Sequence, residues 1–345
     1  MENRKRRSIG MKELAKLADV SLTTVSRVFN SPHSVREETR ELVRRLAREH
    51  GYIYNATAAE LIRNQSRVFG LLFPSMKSPL FAEALAVIEK RVRETFYSMV
   101  IGSTQYEPAL EKRLLKQFME RRVAGIIMTG FTEGQDKLVE EIVAQGILCV
   151  VIWEMLKETS PVSFVGYDNY KVAISAVDYL FQLEHRRVGM VAGRMNVLPR
   201  LKRRLKGYRA VLDRFGVSFD PNLVVQRRIP NYLEGKQAMN QLLSLPDPPT
   251  AVWFTSDEMA LGGLSAIRER GLKVPRDISV IGADNIEPCA YSDPPLTTVN
   301  IPAQEMGRQA IDLLLEMIET GDQTPRHYEL ETSLIVRESC SGPPT

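Results

Sequence analysis

Four side chains near the amino terminus share one face of a predicted helix and carry groups that could read DNA bases. They are Leu22, Thr23, Ser26 and Arg27, in a segment whose apolar residues recur at helical spacing as far as Asn30. If this helix enters the major groove, Leu22 and the Thr23 methyl group favour contact with thymine methyls. Arg27 can pair bidentately with guanine or hold a phosphate. Leu22 and Thr23 are therefore predicted to set the sequence preference.

A second set of polar side chains is better suited to phosphate contacts, which position a protein on DNA without specifying sequence. The set consists of Lys12, Ser21, Thr24, Asn30 and Thr39. The charge distribution agrees, because residues 1–64 hold 13 Lys and Arg against 8 Asp and Glu, whereas residues 65–345 hold 33 against 34. A basic segment on a near-neutral body favours a polyanionic partner. A charged helix face that is only solvated is the alternative.

The elements that must position these side chains are two short helices, predicted over residues 11–18 and 22–30. Only Asp19, Val20 and Ser21 separate them, and Ser21 is well suited to cap the second helix. So short a connection predicts a helix-turn-helix. The apolar positions of the second helix are predicted to be core: Val25, Val28 and Phe29.

The segment after the helix-turn-helix contains a third helix and then a linker. The third helix has two possible starts, because Ser34 and Glu37 have capping-box spacing, whereas the turn at Pro32 favours a later beginning. The Ala-rich stretch over residues 55–62 is too short to be a stable helix alone. It is predicted to become helical only when something holds it.

From Val68 onward, apolar runs alternate with amphipathic helices, which is typical of parallel βαβ units. A chain of 345 residues also exceeds what one core usually serves. Two doubly wound lobes are predicted, with a ligand crevice at the carboxyl ends of the strands. The runs are VFGLLF, SMVIGS, AGIIMT, LCVVIW, RVGMVAG, LVVQ, AVWFTSD and ISVIGAD.

Several classes of protein are excluded by what the sequence lacks. Dinucleotide, P-loop, nucleophile-elbow and HExxH motifs are absent and the four histidines are scattered, so we predict neither an enzyme nor a cofactor or metal site. Three distant cysteines without CxxC spacing indicate a reducing cytoplasm. The basic residues 4–7 precede no apolar stretch, and no run is long enough to cross a membrane.

The sequence resembles the lactose-repressor (LacI/GalR-type) family of bacterial regulators over nearly its whole length. The matching segments are MKELAKLADVSLTTVSRVFNSP from Met11, GYIYN from Gly51, VGYDN from Val165, EHRRVGMVAG from Glu184, FTSDEMALGGLSAI from Phe254 and VPRDISVIGADN from Val274. Within the family, LFAEALAVIEK, VVIWE and VGYDN are most similar to the gluconate-type repressors.

The resemblance implies an α/β fold: a helix-turn-helix head and a two-lobed, doubly wound, parallel-sheet sensor core similar to periplasmic binding proteins. We expect the head over residues 1–54, a hinge and linker over 55–67, and an effector-binding and dimerisation core over 68–340. The first lobe is expected over about 68–167 and 297–325, and the second over about 168–294 and 326–340.

The family also implies partners: operator DNA with an inverted repeat, a second copy of the chain, and a small effector. The DNA contacts that it adds are Tyr52, Asn55, Ala58 and Leu61. Leu61 corresponds to a wedge between base steps in the minor groove, although ordinary linker packing is the alternative. The implied function is a ligand-responsive repressor.

Seven effector residues follow from the same resemblance: Phe81, Trp153, Asp168, Arg200, Arg204, Asp257 and Asp284. Arg204 and Asp284 match the positions that contact effectors in the family. Asp168 and Asp257 have an alternative role as helix caps, and Trp153 as core. Arginines opposed by carboxylates suit a sugar or a polyhydroxylated acid. A sugar-binding protein without a DNA role is the competing interpretation.

Overall fold

The computed structural model describes residues 9–30, 32–54, 66–132 and 136–344. The chain divides into two compact units, with the boundary between Arg67 and Val68. The predicted hinge contacts Asn55, Ala58 and Leu61 lie outside the described residues, as does the side chain of Asn30.

The first unit contains a helix-turn-helix. Its helices are α1 (Met11–Leu17), α2 (Leu22–Asn30) and α3 (Glu37–Glu49). The Ser21 Oγ accepts a 3.0 Å hydrogen bond from the backbone N–H of Thr24, which is the predicted cap of α2. The helices enclose a small apolar core formed by Leu14, Ala15, Ala18, Val25, Val28, Val43 and Ala47. The helix-turn-helix prediction is confirmed.

Two details of this unit differ from or refine the sequence pattern. Helix α3 begins at Glu37, with a 3-10 turn over Pro32–Ser34 before it, so the later of the two possible starts is correct. Phe29 is only half-buried, because it lies at the edge of the core and stacks on Tyr54 with ring centroids 5.1 Å apart.

The second unit contains two six-stranded sheets. The first sheet has the order β11-β5-β4-β3-β1-β2, and all of its strands are parallel. Its strands are β1 (Val68–Phe73), β2 (Ser98–Ser103), β3 (Gly125–Met128), β4 (Leu148–Ile152), β5 (Ser163–Gly166) and β11 (His327–Glu329).

The second sheet has the order β12-β10-β9-β8-β6-β7, and only the edge strand β12 is antiparallel to its neighbour. Its strands are β6 (Val188–Ala192), β7 (Val224–Gln226), β8 (Ala251–Phe254), β9 (Ser279–Asp284), β10 (Thr297–Asn300) and β12 (Ser333–Ile335). The predicted pair of doubly wound lobes is confirmed.

Helices flank both sheets, and alternate strand residues face opposite layers. The helices of the first lobe are α4 (Pro79–Arg93), α5 (Pro108–Glu120), α6 (Asp136–Ala144) and α12 (Ala303–Thr320). In the first sheet, Leu71 packs with α4 and α12, whereas the adjacent Leu72 packs with α5 and α6. The second lobe contains α7 (Asn169–Gln182), α8 (Pro199–Arg214), α9 (Tyr232–Leu243), α10 (Asp257–Glu269) and α11 (Pro288–Tyr291).

The lobe boundaries need correction at the carboxyl-terminal end. The strand Thr297–Asn300, expected in the first lobe, pairs with β9 in the second sheet. The strand His327–Glu329, expected in the second lobe, pairs with β5 in the first sheet. The chain therefore passes between the lobes after β5, after β10 and after β11. These strands are short and lie at or near sheet edges, where an apolar pattern does not indicate which sheet completes them.

Candidate functional site

Helix α2 presents the predicted base-reading side chains on its outer face. Leu22 is 43% exposed, Thr23 and Arg27 are exposed, and Ser26 is half-buried, whereas Val25 and Val28 lie in the core. The hydroxyls of Ser21 and Thr24 are 2.9 Å apart and hydrogen-bond to each other. An exposed face on the second helix of a helix-turn-helix is the arrangement that enters the major groove.

The other predicted phosphate contacts surround this helix within the same unit. Lys12 is exposed and Thr39 is half-buried. Tyr52 is also half-buried, and its ring centroid lies 5.8 Å from that of Phe29. Burial raises the pKa of the Tyr52 hydroxyl, so it stays protonated and can donate a hydrogen bond. These assignments to DNA stay predictions.

The second unit contains a cavity between its two lobes, which is partly open to solvent. Five of the seven predicted effector residues line it: Phe81, Trp153, Arg200, Arg204 and Asp284. They come from both lobes, since the first two belong to α4 and the end of β4, and the others to α8 and the end of β9. The cavity also lies at the carboxyl ends of the strands, where the sequence places the crevice.

Arg204 is buried and hydrogen-bonds to residues at the point where the chain passes from the first lobe to the second. Its Nε donates to the Asn169 Oδ1 at 2.8 Å, its Nη1 to the Thr255 carbonyl at 2.7 Å, and its Nη2 to the Tyr167 hydroxyl at 3.1 Å. The Asn169 side chain in turn donates to the Trp153 carbonyl at 3.2 Å. Arg204 therefore orients the cavity wall, and most of its donors are already bound to protein.

Arg200 reaches across the cavity from the second lobe to the first. Its Nη1 donates to the Thr129 carbonyl at 3.2 Å. The buried carboxyl of Glu154 lies beside it, and burial raises the pKa of that carboxyl to about 7 although the Arg200 charge opposes the shift. Arg200 thus connects the cavity with an acidic cluster of the first lobe.

Asp284 is the last residue of β9 and has a left-handed φ of 126°. Burial and the nearby carboxyl of Asp257 raise its pKa well above the usual range, although the Arg204 charge opposes them. Glu258 also lines the cavity, and burial raises the pKa of its carboxyl although a hydrogen bond with Ser78 opposes the shift. Two carboxyl groups therefore face the cavity in a setting that favours hydrogen bonding to ligand hydroxyls.

Aromatic rings form the wall on the first-lobe side. The rings of Phe81 and Trp153 meet edge to face, with centroids 5.1 Å apart. Tyr106 and Tyr167 line the cavity beside them. Trp153 has a left-handed φ of 69°, and its buried Nε1 has no hydrogen-bond partner among the described residues. The indole N–H is thus a candidate donor to a bound molecule.

Asp168 does not line the cavity. Its Oδ1 accepts a hydrogen bond from the backbone N–H of Tyr170 at 2.9 Å and so caps α7, and Arg203 lies 3.4 Å from the same oxygen. The expectation of an effector contact is therefore corrected to the alternative that the sequence left open, which is a helix cap.

Asp257 also lies outside the cavity lining and is completely buried. Its carboxylate accepts hydrogen bonds from the Thr298 hydroxyl at 2.7 Å and from the backbone N–H of Ile286 at 3.1 Å. It therefore ties the loop after β9, and with it Asp284, to the start of α10. A Cβ on Gly282 would lie 2.0 Å from the Asp257 Oδ1, so only glycine fits there.

Sequence reasoning missed several residues of the cavity. Tyr167 precedes Asp168 in the VGYDN segment, and Glu258 follows Asp257, so two of the quoted motifs contain a cavity residue next to the one that was predicted. Tyr106 and Ser78 lie in loops without any pattern that could have indicated them. No helix among the described residues could span a membrane, and no cluster of His, Cys, Asp or Glu in the same ranges could hold a metal ion.

Comparisons with known proteins match both units. Residues 10–55 match the profile of bacterial regulatory proteins of the lacI family, and residues 177–340 match the periplasmic binding protein-like domain. The HTH-type transcriptional repressor CytR of Escherichia coli K12 is 35% identical over 334 residues, which cover 97% of either chain. This relative is a transcriptional repressor.

Solved structures agree over nearly the full length. The lac repressor dimer bound to operator and the anti-inducer ONPF has a TM-score of 0.82 and 26% identity, covering 97% of this chain and 100% of that one. The transcriptional regulator CelR in complex with cellobiose has a TM-score of 0.70 and 30% identity, covering 96% and 99%. The likeness to gluconate-type repressors stays a prediction. The chain belongs to the lacI family of bacterial regulatory proteins.

Proposed function

We propose that the chain is a cytoplasmic, dimeric transcriptional repressor that binds an inverted-repeat operator and responds to a small molecule in the cavity between its lobes. One observation carries the proposal: a single chain combines an exposed helix-turn-helix face with a cavity lined by arginines, carboxyls and aromatic rings. The lac repressor supports it, because that relative was solved as a dimer on operator with a ligand.

The chemistry of the cavity favours a neutral sugar over a sugar acid as effector. Arg204 donates three of its five N–H groups to protein acceptors. Arg200 donates one to the Thr129 carbonyl, and the Glu154 carboxyl beside it offsets its charge. Asp284 and Glu258, by contrast, present carboxyl oxygens that accept hydrogen bonds from hydroxyls. A ligand carboxylate would meet these two groups, whereas a neutral ring could pack against Phe81 and Trp153. CelR, which was solved with cellobiose, agrees with this class.

A thermal-shift screen with matched pairs tests the effector class. Each sugar is compared with its own acid, and nucleobases are included as a third class. A specific ligand at 100 times its Kd stabilises the fold by about 2.7 kcal/mol. We expect a neutral member to raise the melting temperature and its acid to leave it unchanged. The reverse order would assign the cavity to an anion.

Titration of DNA separates a repressor from a binding protein without a DNA role. Fluorescent duplexes that contain inverted repeats are mixed with the protein at two salt concentrations. A repressor binds a selected duplex tightly, and its affinity falls steeply with salt because counterions are released. Weak binding that does not distinguish one duplex from another would favour the binding protein.

A further inference from the structure

A cluster of three charged side chains joins the lobes at the rim of the cavity. We call Glu107, Arg194 and Arg228 the rim cluster. Glu107 belongs to the first lobe, just before α5, and the two arginines belong to the second lobe, after β6 and after β7. The Glu107 Oε1 lies 2.9 Å from the Arg228 Nη2 and 3.4 Å from the Arg194 Nη2. None of the three side chains is among the cavity lining.

The rim cluster is attached directly to the cavity wall through Tyr106. The Arg194 Nη2 also donates to the Tyr106 carbonyl at 2.5 Å, so one guanidinium holds two consecutive residues of the opposite lobe. The Tyr106 ring is 6% exposed and lines the cavity. Loss of the Arg194 contacts would therefore remove a restraint on the segment that carries the Tyr106 ring.

The backbone of this segment is held in an unfavourable conformation. Gln105 and Tyr106 have φ values of 51° and 60°, and two successive left-handed residues without a glycine are uncommon. Hydrogen bonds to the Phe73 and Thr104 carbonyls fix the turn from within the first lobe. Backbone N–H groups of Leu110 and Glu111 also donate to the Glu107 carbonyl, and the second lobe adds contacts through Arg194 and Arg228.

The side chains of the rim cluster are charged at neutral pH and exposed enough for dissolved salt to screen their attraction. The hydrogen bond with Arg228 and the charge of Arg194 lower the pKa of the Glu107 carboxyl, so it is ionised. The side chains of Glu107, Arg194 and Arg228 are 34%, 27% and 68% exposed. Exposed pairs are individually weak and are screened by ions. Two pairs that share one carboxylate can therefore bias an equilibrium between lobe positions without locking it.

We infer that Glu107 is a positioning residue for effector binding, which holds the lobes closed and Tyr106 against the cavity through ion pairs with Arg194 and Arg228. The closing step is a property of the second unit itself. Only the consequence for an effector rests on the function proposed above.

The two tryptophans of the chain make the closing step measurable without any effector. Trp153 lines the cavity and is 2% exposed, so it becomes accessible when the lobes separate, whereas Trp253 is buried in β8. Acrylamide quenching of Trp153 fluorescence is measured in a Trp253→Phe background, and in parallel with both tryptophans present. In the parent, quenching should be weak at low salt and should increase with salt.

The Glu107→Gln substitution should raise the quenching constant at low salt by about two- to fivefold, the range expected when exposed ion pairs are lost. It should also abolish most of the salt dependence. Arg228→Ala should act in the same direction, and the double variant should show less than the sum of the two effects, because both remove the same pair.

The matched control is Glu305→Gln, which removes an equally accessible carboxylate paired with Arg308 inside helix α12 of the first lobe. This variant should quench like the parent. If Glu107→Gln also quenches like the parent at low salt, Glu107 does not hold the lobes and the inference is wrong. A positive quenching result together with a failed ligand screen would leave the rim cluster standing and overturn only the proposed effector function.

Discussion

Arg27 occupies a position where one side chain could perform either of two tasks on DNA. It is exposed near the middle of α2, five residues after Leu22. A guanidinium there can reach guanine O6 and N7, which gives sequence preference, or a phosphate, which gives only affinity. Its neighbours Thr23 and Ser26 face the same side of the helix, so we expect base contact.

Replacing Arg27 by alanine should cost about 1 to 3 kcal/mol on the selected operator and relax preference at one base pair. Fluorescence anisotropy on operator and random duplexes over a series of salt concentrations measures both effects. Arg45→Ala is the control, since it removes the same charge from the exposed surface of α3. An equal loss on both duplexes, with a salt slope smaller by about one, would instead identify a phosphate contact.

His185 shows how burial of one titratable residue makes stability depend on pH. It is completely buried, with Nδ1 2.8 Å from the Thr250 hydroxyl and Nε2 2.8 Å from the Ser341 carbonyl. The carbonyl can only accept, so Nε2 carries the hydrogen and Nδ1 accepts from Thr250. Burial lowers the pKa of the imidazole below its usual 6.5.

Burial of His185 should therefore cost stability as pH falls below about 6.5, because the unfolded chain then binds a proton that the folded chain excludes. We expect the free energy of unfolding of the parent to fall relative to that of His185→Gln between pH 7.5 and 5.5. Urea unfolding at several pH values measures it. Buried carboxyls with raised pKa, such as Asp284, act in the opposite direction, so the difference between parent and variant is the relevant quantity. Identical slopes would contradict the assignment to His185.

At the scale of elements, the helices α9 and α10 owe their close packing to two glycines. A Cβ on Gly235 would lie 2.0 Å from the Met259 carbonyl oxygen, and one on Gly262 would lie 1.9 Å from the Tyr232 carbonyl oxygen. Backbone atoms cannot move aside as a flexible side chain can. Helix α10 begins with Asp257, which anchors the loop of Asp284, so the spacing of this helix pair affects the cavity.

We predict that Gly262→Ala destabilises the second unit by about 1 to 3 kcal/mol, the usual cost of overpacking. It should also weaken effector binding, because α10 must shift. Thermal unfolding and the ligand screen measure the two effects. Gly342→Ala is the control, since its Cβ would meet only the Leu183 carbonyl oxygen at 3.7 Å. A Gly262→Ala variant as stable as the control would show that the helices can separate at little cost.

The sequence predicts the elements more completely than their assembly. Helical spacing and a capping serine specify the helix-turn-helix, and apolar runs identify eight of the twelve strands, because both patterns are local. The strands β5, β10, β11 and β12 escape, since three or four residues of mixed polarity carry little signal. Among the site residues, Asp168 and Asp257 could not be separated from Asp284, because their roles depend on partners that are distant in sequence, such as Thr298.

At the scale of the whole molecule, the function requires that effector and operator act on one equilibrium. The rim cluster joins the two lobes, and Arg204 lies next to one of the chain crossings between them. On the proposed function, lobe closure is therefore the equilibrium that an effector biases. The family resemblance assigns residues 55–62 to a hinge that contacts the operator. If that assignment is right, lobe closure acts on operator affinity through this segment.

Linkage then requires reciprocity: the factor by which the effector changes operator affinity equals the factor by which the operator changes effector affinity. The corresponding coupling free energy is typically about 1 to 3 kcal/mol. Titrations of each ligand with and without the other measure both factors. A factor of one in both titrations would mean that the effector found by the screen does not act on this equilibrium.

Two variants separate the ends of the coupling. Asp284→Asn keeps the size of the side chain and tolerates the left-handed φ, yet removes the carboxyl group from the cavity. It should abolish the effector response while leaving effector-free operator affinity nearly unchanged. If Leu61 is the minor-groove wedge that the resemblance implies, Leu61→Ala should weaken operator binding and leave the effector affinity of the free protein unaltered. A normal response in Asp284→Asn would place the effector outside this cavity, and full operator affinity in Leu61→Ala would show that Leu61 is ordinary linker packing.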